Sequence, residues 1–172
     1  MLRIVGAVLI ITGCTAIGFF YKERFRDGLW HLRSMQQILE LFMSEIRYGK
    51  STLPECCGNI ASKVVQPYGE GLMRIWEDMK GPAGAGFVEN WNTYMGGAIE
   101  KAPVTKQEKE MFLGFASCLG LSDNQMQVRA IEQYRDMLAS AIKLRETELE
   151  KQSRMATGLG IMSGLLLAVI LI

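Results

Sequence analysis

The residue types that most often do chemistry in proteins are few in this chain, and they are scattered along it. Cys56 and Cys57 are adjacent and could form a reactive pair if a neighbouring cation favoured the thiolate. No basic residue stands beside them, so we expect both thiols to be buried as small apolar groups. His31 is the single histidine and has no nearby ligand residues, which indicates a histidine on a helix face.

Carboxylate pairs and catalytic motifs give no stronger candidate. Glu40 and Glu45 are five residues apart, so they do not share a helix face. Glu77 and Asp78 form a doublet typical of a solvated surface. The chain carries no GxSxG, HExxH, Walker-loop or CxxC pattern. We therefore predict that this is not an enzyme and that it has no catalytic residue, no cofactor and no metal site.

Charge is confined to the middle of the chain. All 18 acidic residues and 18 of the 19 basic residues lie within 22–154, and Arg3 is the exception. This neutral middle lacks the basic excess that nucleic-acid binding requires. The four cysteines show neither a disulfide framework nor a zinc-ligand spacing. The middle is long enough for one domain with its own core.

Two uncharged runs, Ile4–Tyr21 and Met155–Ile172, stand at the ends of the chain. As a helix rising about 1.5 Å per residue, each reaches roughly 27 Å, close to the ~30 Å hydrocarbon layer of a membrane. Basic residues flank both runs on the side of the middle domain: Lys22, Arg24, Arg26 and Arg33 after the first, and Lys143, Arg145, Lys151 and Arg154 before the second. We therefore expect a transmembrane helix at 1–21, a cytoplasmic domain at 22–154 and a second transmembrane helix at 155–172.

The first run leaves an alternative open. Ile11-Thr12-Gly13-Cys14 looks like a lipobox, with Cys14 as the lipidated residue. The protein would then be a lipoprotein or membrane sensor whose domain faces outward. Against this, the apolar run continues past Cys14, and the basic residues behind it would have to be exported. A cleaved signal peptide would also want a shorter apolar core.

The second run carries a row of small residues at every fourth position: Ala156, Gly160, Gly164 and Ala168. Small residues in such a row let two helix backbones approach closely within a membrane. The row predicts a packing seam, either to the first run or to another protein. Glycine is also common in membrane helices in general, so an incidental row is the alternative.

Apolar periodicity of three to four residues runs through the middle, and no stretch alternates as a strand would. The fold class is predicted as all-α, a helical bundle of about six helices flanked by two transmembrane helices. Glycine and proline are expected to break it at Gly49, Pro67, Gly69 and the 81–86 loop. The predicted helices are 29–48, 52–65, 71–80, 87–99, 105–119 and one from Ser122 into the final run. Thr52 with Glu55, Thr105 with Glu108, and Ser122 with Gln125 have the spacing of capping boxes.

Several of these patterns together resemble a known family. Glu45-Ile46-Arg47-Tyr48-Gly49 is followed by Thr52-Leu53-Pro54-Glu55, and Leu119-Gly120-Leu121-Ser122-Asp123 comes later. With an apolar run at each end, this looks like stage III sporulation protein AB of endospore-forming bacteria. The resemblance covers nearly the whole chain. Cys56-Cys57 departs from it, since small or apolar residues are expected after Glu55.

The resemblance implies a role without a reaction. The family resembles the cytoplasmic domain of the inner-membrane platform protein of type II secretion. It implies a place in the apparatus that joins mother cell and forespore during engulfment, in the mother-cell membrane around the forespore. A cytoplasmic secretion-type ATPase and other membrane components would be partners, and a homo-oligomer stays open.

The turn between the first two bundle helices supplies the candidate contact residues for such a partner. They are Glu45, Arg47, Tyr48, Leu53, Pro54 and Glu55. The alternative is that these residues only build a tight turn and its cap.

Overall fold

The described part of the chain is all helical. A computed structural model describes residues 2–49, 51–81, 86–119 and 124–171, and the side chains of residues 23–49, 51–81, 86–119, 125–151 and Met155. Within these ranges there are six α-helices and no strand. The helices are α1 (Leu2–Tyr48), α2 (Leu53–Ala61), α3 (Tyr68–Lys80), α4 (Phe87–Ile99), α5 (Lys106–Gly114) and α6 (Asn124–Leu171). A short 3₁₀ helix, Phe115–Cys118, follows α5.

The number of helices agrees with the sequence prediction, but several boundaries differ. The helix expected to begin at Leu29 begins at Leu2 and runs unbroken to Tyr48. The second helix was expected to reach Val65 and ends at Ala61, where Lys63 N–H donates to Ile60 O at 2.8 Å. The fifth was expected to continue to Leu119. It ends at Gly114, because the chain tightens there into the 3₁₀ turn.

Gly69 was expected to break the chain, and this was wrong. It is buried in the first turn of α3, which begins at Tyr68 directly after a cis Gln66–Pro67 bond. A Cβ at Gly69 would lie 2.8 Å from the carbonyl oxygen of Ala61 at the end of α2. Glycine at this position therefore lets α2 and α3 approach closely.

Apolar stripes on α1 and α6 contribute to the core of the bundle, as the periodicity of three to four residues indicates. Each side contributes residues with little or no exposed surface: Leu29, Leu32, Met35, Leu39 and Phe42 from α1, and Val128, Ile131, Leu138 and Ile142 from α6. Ile46 and Tyr134, at the edges of the stripes, are half-buried. Val88, on α4, is 40% exposed.

An aromatic cluster centred on Trp91 fills the middle of the core. Its ring lies 5.7 Å from Phe42, 5.2 Å from Phe112 and 5.3 Å from Phe115, measured between centroids. Trp91 Nε1 donates to the carbonyl oxygen of Phe112 at 3.3 Å, which satisfies its buried N–H. The cluster thereby ties α1, α4, α5 and the 3₁₀ turn together.

The chain divides into two compact units, Met1–Phe25 with Lys143–Ile172 and Arg26–Ile142. Within the first unit, the Arg145 guanidinium lies 5.9 Å from the ring centre of Phe25. Among the residues whose side chains are described, no helix is both long and apolar enough to cross a membrane. The predicted spans Ile4–Tyr21 and Met155–Ile172 fall outside those residues, apart from Met155, so both spans stay predictions.

Candidate partner-binding site

The turn between α1 and α2 is built by specific local bonds. We call residues 45–55 the elbow; Lys50 lies outside the described residues. Gly49 N–H donates to Glu45 O at 2.7 Å and ends α1. A Cβ at Gly49 would lie only 2.4 Å from that oxygen, so a side chain does not fit here.

A capping box begins α2, as the sequence predicted. The Glu55 carboxylate accepts hydrogen bonds from the Thr52 backbone N–H at 2.7 Å and from the Thr52 hydroxyl at 2.9 Å. The backbone hydrogen bond is the largest cause that lowers the pKa of Glu55 below its ordinary value. Pro54 stands in the first turn, where its missing N–H is tolerated. Glu55 and Pro54 thus shape the elbow.

Two other charged elbow residues, Glu45 and Arg47, form ion pairs with residues outside the elbow. Glu45 Oε1 lies 3.4 Å from Lys63 Nζ, just past the end of α2. Arg47 Nη2 lies 3.0 Å from Glu132 Oε1 on α6. Both pairs are partly exposed, so each contributes little to stability on its own. They fix the position of the elbow against α2 and α6.

Tyr48 is the elbow residue with a large, strongly exposed hydrophobic side chain. Its side chain is 80% exposed, the largest exposure of any described large hydrophobic residue. Leu53, in the first turn of α2, is half-buried. An exposed aromatic ring beside fixed charges is a composition typical of protein interfaces.

A cavity of about 480 Å³ opens beside the elbow, between the last turn of α1 and the start of α6. It is lined by Ile46, Arg47, Gln125, Val128, Arg129 and Glu132. Val128 is buried and Ile46 half-buried, so the cavity has an apolar part, while two cations and one carboxylate surround it. Among the six predicted contact residues, Arg47 is the one that reaches this cavity.

The α6 side of the cavity was missed by the sequence analysis. Gln125, Arg129 and Glu132 recur at intervals of four and three residues, which places them on one face of a helix. That spacing was available as a signal. The sequence could not show that Glu132 pairs with Arg47. The two residues are 85 positions apart, and only folding brings their helices together.

The remaining residues with reactive side chains have structural roles. Burial raises the pKa of Cys56 to about 11 and that of Cys57 to about 12, so both thiols stay protonated, as expected from the sequence. His31 Nδ1 lies 2.8 Å from the hydroxyl of buried Tyr68, and burial is the main cause that lowers the pKa of His31, against the opposing charge of Asp27. No group of three His, Cys, Asp or Glu in the described part of the chain could hold a metal ion.

The second set of predicted contact residues is the row of small residues near the end of α6. Ala156, Gly160, Gly164 and Ala168 fall on residues whose side chains are outside the described ranges. The packing seam along the last helix therefore stays a prediction.

Comparison with known proteins decides the family. A family model described as "Stage III sporulation protein AB" matches residues 3–172. The chain belongs to the stage III sporulation protein AB family. The resemblance noted in the elbow and LGLSD motifs is thereby confirmed over nearly the full length.

Two members of the stage III sporulation protein AB family extend this result. The protein of that name from Bacillus subtilis (strain 168) is 25% identical over 171 residues, which covers 99% of each chain. A solved structure of a stage III sporulation protein AB is 18% identical, with a TM-score of 0.64, over 72% of this chain and 97% of that one. The latter likeness shows a shared fold. The names of these relatives describe sporulation proteins, not enzymes.

Proposed function

We propose that this family member is a non-enzymatic platform in the secretion-like apparatus that connects mother cell and forespore. It would sit in the mother-cell membrane around the forespore as a two-pass protein, with residues 22–154 in the cytoplasm. In this role it links a cytoplasmic secretion-type ATPase to the other membrane components of the apparatus. Membership of a sporulation family and the neutral, helical middle domain between two uncharged runs support this role.

One observation carries the scaffold role: the adjacent cysteines, the histidine and Glu55 are engaged in structure. Cys56 and Cys57 are buried thiols, His31 shares a hydrogen bond with Tyr68, and Glu55 caps α2. The elbow combines exposed Tyr48 with charges held in place, which suits the binding of another protein better than catalysis.

Charge reversal tests the link to the ATPase. The full-length chain would be purified in detergent from sporulating cells, as wild type and as Glu45→Lys, Arg47→Glu and Arg74→Glu. Arg74 is an exposed arginine on α3, paired with Glu70 at 2.7 Å, and serves as the matched control. We expect the ATPase to co-purify with wild type and Arg74→Glu and to be lost from both elbow variants. Unchanged co-purification with the elbow variants, at unchanged helicity by circular dichroism, would reject the elbow as the contact.

Membrane topology is tested independently. Lys101 is exposed in the short segment between α4 and α5, so Lys101→Cys offers a thiol for a membrane-impermeant maleimide. A cytoplasmic domain protects this cysteine in intact cells and exposes it after lysis. Labelling in intact cells would instead favour the outward-facing lipoprotein or sensor.

The small-residue row offers a test within the membrane. Gly160→Leu and Gly164→Leu should weaken helix association along the seam and reduce the yield of crosslinked complex. Leu166→Phe, off the four-residue row, is the control. Unchanged crosslinking in both glycine variants would contradict the packing seam. It would also contradict a homo-oligomer that forms through this seam.

A further inference from the structure

The cavity beside the elbow carries an excess of positive charge. Among its described lining residues, Arg47 and Arg129 stand with one carboxylate, Glu132, which already lies 3.0 Å from Arg47. Arg129 has no ion-pair partner among the described residues, and its side chain is exposed. Among the described residues, one cation of the cavity is therefore without a counter-charge.

The same cavity has an apolar part. Val128 is 8% exposed and Ile46 is half-buried, and Gln125 adds an amide at the edge. Exposed Tyr48 stands directly after Arg47 in sequence but does not itself line the cavity. A bound segment would thus meet an apolar surface and an arginine within a few ångströms of each other.

We propose that this cavity binds an acidic, apolar segment of a protein partner, with a carboxylate on Arg129 and a neighbouring apolar side chain against Ile46 and Val128. Arginine suits this role because its guanidinium can bind both oxygens of a carboxylate. Glu132 holds Arg47 in place and at the same time disfavours a second acid on the Arg47 side. The position of the bound charge is therefore set by the cavity, with Arg129 as the specific contact.

This inference rests on the proposed scaffold function, since it names the chemistry of the segment that the scaffold holds. It shares Ile46 and Arg47 with the elbow, but its specific contact, Arg129, belongs to α6 and lies outside the elbow. The two can therefore fail separately.

Site-specific photocrosslinking tests the proposal in the full-length chain. Tyr48 is replaced by p-benzoylphenylalanine, which keeps an aromatic ring at an exposed position one residue after the cavity residue Arg47. After irradiation of sporulating cells, the crosslinked partner peptide is identified by mass spectrometry. We expect that peptide to contain Asp or Glu next to an apolar residue.

Second-site variants then separate charge recognition from mere proximity. Arg129→Glu should lower the crosslink yield about tenfold, as expected when a paired charge is reversed. The matched control Arg74→Glu, at an exposed position of α3, should leave the crosslink yield unchanged. Replacing the acid of the partner peptide by Lys should restore the yield with Arg129→Glu, and this rescue would not follow from a general loss of stability.

The other outcomes contradict either the proposed binding of an acidic segment or the proposed function. A crosslinked segment without an acidic residue, a yield insensitive to Arg129→Glu, or no rescue overturns the proposal. Absence of any crosslink while the ATPase still co-purifies also overturns it, and leaves the scaffold function standing. If no partner co-purifies with wild type, the proposed function itself fails.

Discussion

Arg47 and Glu132 join the last turn of α1 to α6 through contact between Arg47 Nη2 and Glu132 Oε1 at 3.0 Å. The two side chains are 44% and 39% exposed, so water screens the attraction. The pair therefore positions Arg47 at the elbow and the cavity more than it stabilises the bundle. Its 85-residue separation makes it a long-range marker of the native fold.

A double-mutant cycle with Arg47→Ala and Glu132→Ala measures how much this ion pair contributes to stability. We expect a coupling free energy of about 0.2–1 kcal/mol, because both side chains are partly exposed. The measurement is denaturant unfolding of the two single variants and the double variant. A coupling above about 2 kcal/mol would show that the pair is a main stabiliser of the bundle, contrary to this account.

Trp91→Ala should strongly destabilise the bundle, by about 3–5 kcal/mol, since it removes the centre of the aromatic cluster and leaves a cavity. Val88→Ala on the same helix is the control. Val88 is 40% exposed, so its loss should change the free energy of unfolding by no more than about 0.5 kcal/mol. Equal effects of the two variants on the unfolding midpoint would contradict the observed inward face of α4.

Two glycine substitutions should act in opposite directions. Gly49→Ala forces a Cβ toward Glu45 O and should cost about 1–3 kcal/mol through backbone shifts. Gly97→Ala, in α4, meets no atom within 4 Å and should stabilise by about 0.4–1 kcal/mol, because alanine favours the helix. Thermal unfolding of both variants checks this. Stabilisation by Gly49→Ala would show that Gly49 does not lie as close to Glu45 O as described.

The stability that Glu55 contributes should depend on pH with a definite sign. Its pKa is lowered in the folded chain, so the contribution is fully present above the unfolded value of 4.5 and is lost as pH falls through the folded pKa. Glu55→Gln keeps an acceptor for Thr52 and removes the charge. We expect a lower Tm for this variant at pH 7 and a difference that shrinks in acid. Glu77→Gln, at an exposed position of α3, is the control, and a difference that grows in acid would contradict the capping role.

The adjacent thiols should be unreactive in the folded chain. With pKa values of about 11 and 12, Cys56 and Cys57 hold little thiolate at pH 8. Maleimide labelling resolved by mass spectrometry should therefore modify both at least about tenfold more slowly in the folded protein than in guanidinium chloride. Fast labelling of either cysteine in the folded chain would reopen the hypothesis of a reactive pair.

Much of this fold is predictable because local rules and burial agree. The α1 stripe and α4 follow from apolar periodicity, and the starts of α2 and α5 follow from the Thr52 and Thr105 capping boxes. Gly69 shows where local rules fail. Glycine usually ends helices, yet here a neighbouring helix requires the missing Cβ, and only tertiary packing contains that information.

The candidate site was predictable in part for the same reason. The elbow follows from Gly49, Thr52 and Glu55, which are neighbours in sequence. The cavity does not, because Arg129 and Glu132 come from α6 and meet Arg47 only after folding. Residue spacing predicts which residues share one face of a helix. It does not predict which other helix packs against that face.

Binding between two purified components tests the central claim most directly. The full-length chain in lipid nanodiscs would be titrated with the purified secretion-type ATPase of the same sporulation apparatus, with Arg47→Glu and Arg74→Glu alongside. The scaffold account predicts saturable binding by wild type and Arg74→Glu, and a loss of roughly tenfold or more in Arg47→Glu. Absence of binding by wild type, or equal affinity of all three proteins, would contradict it.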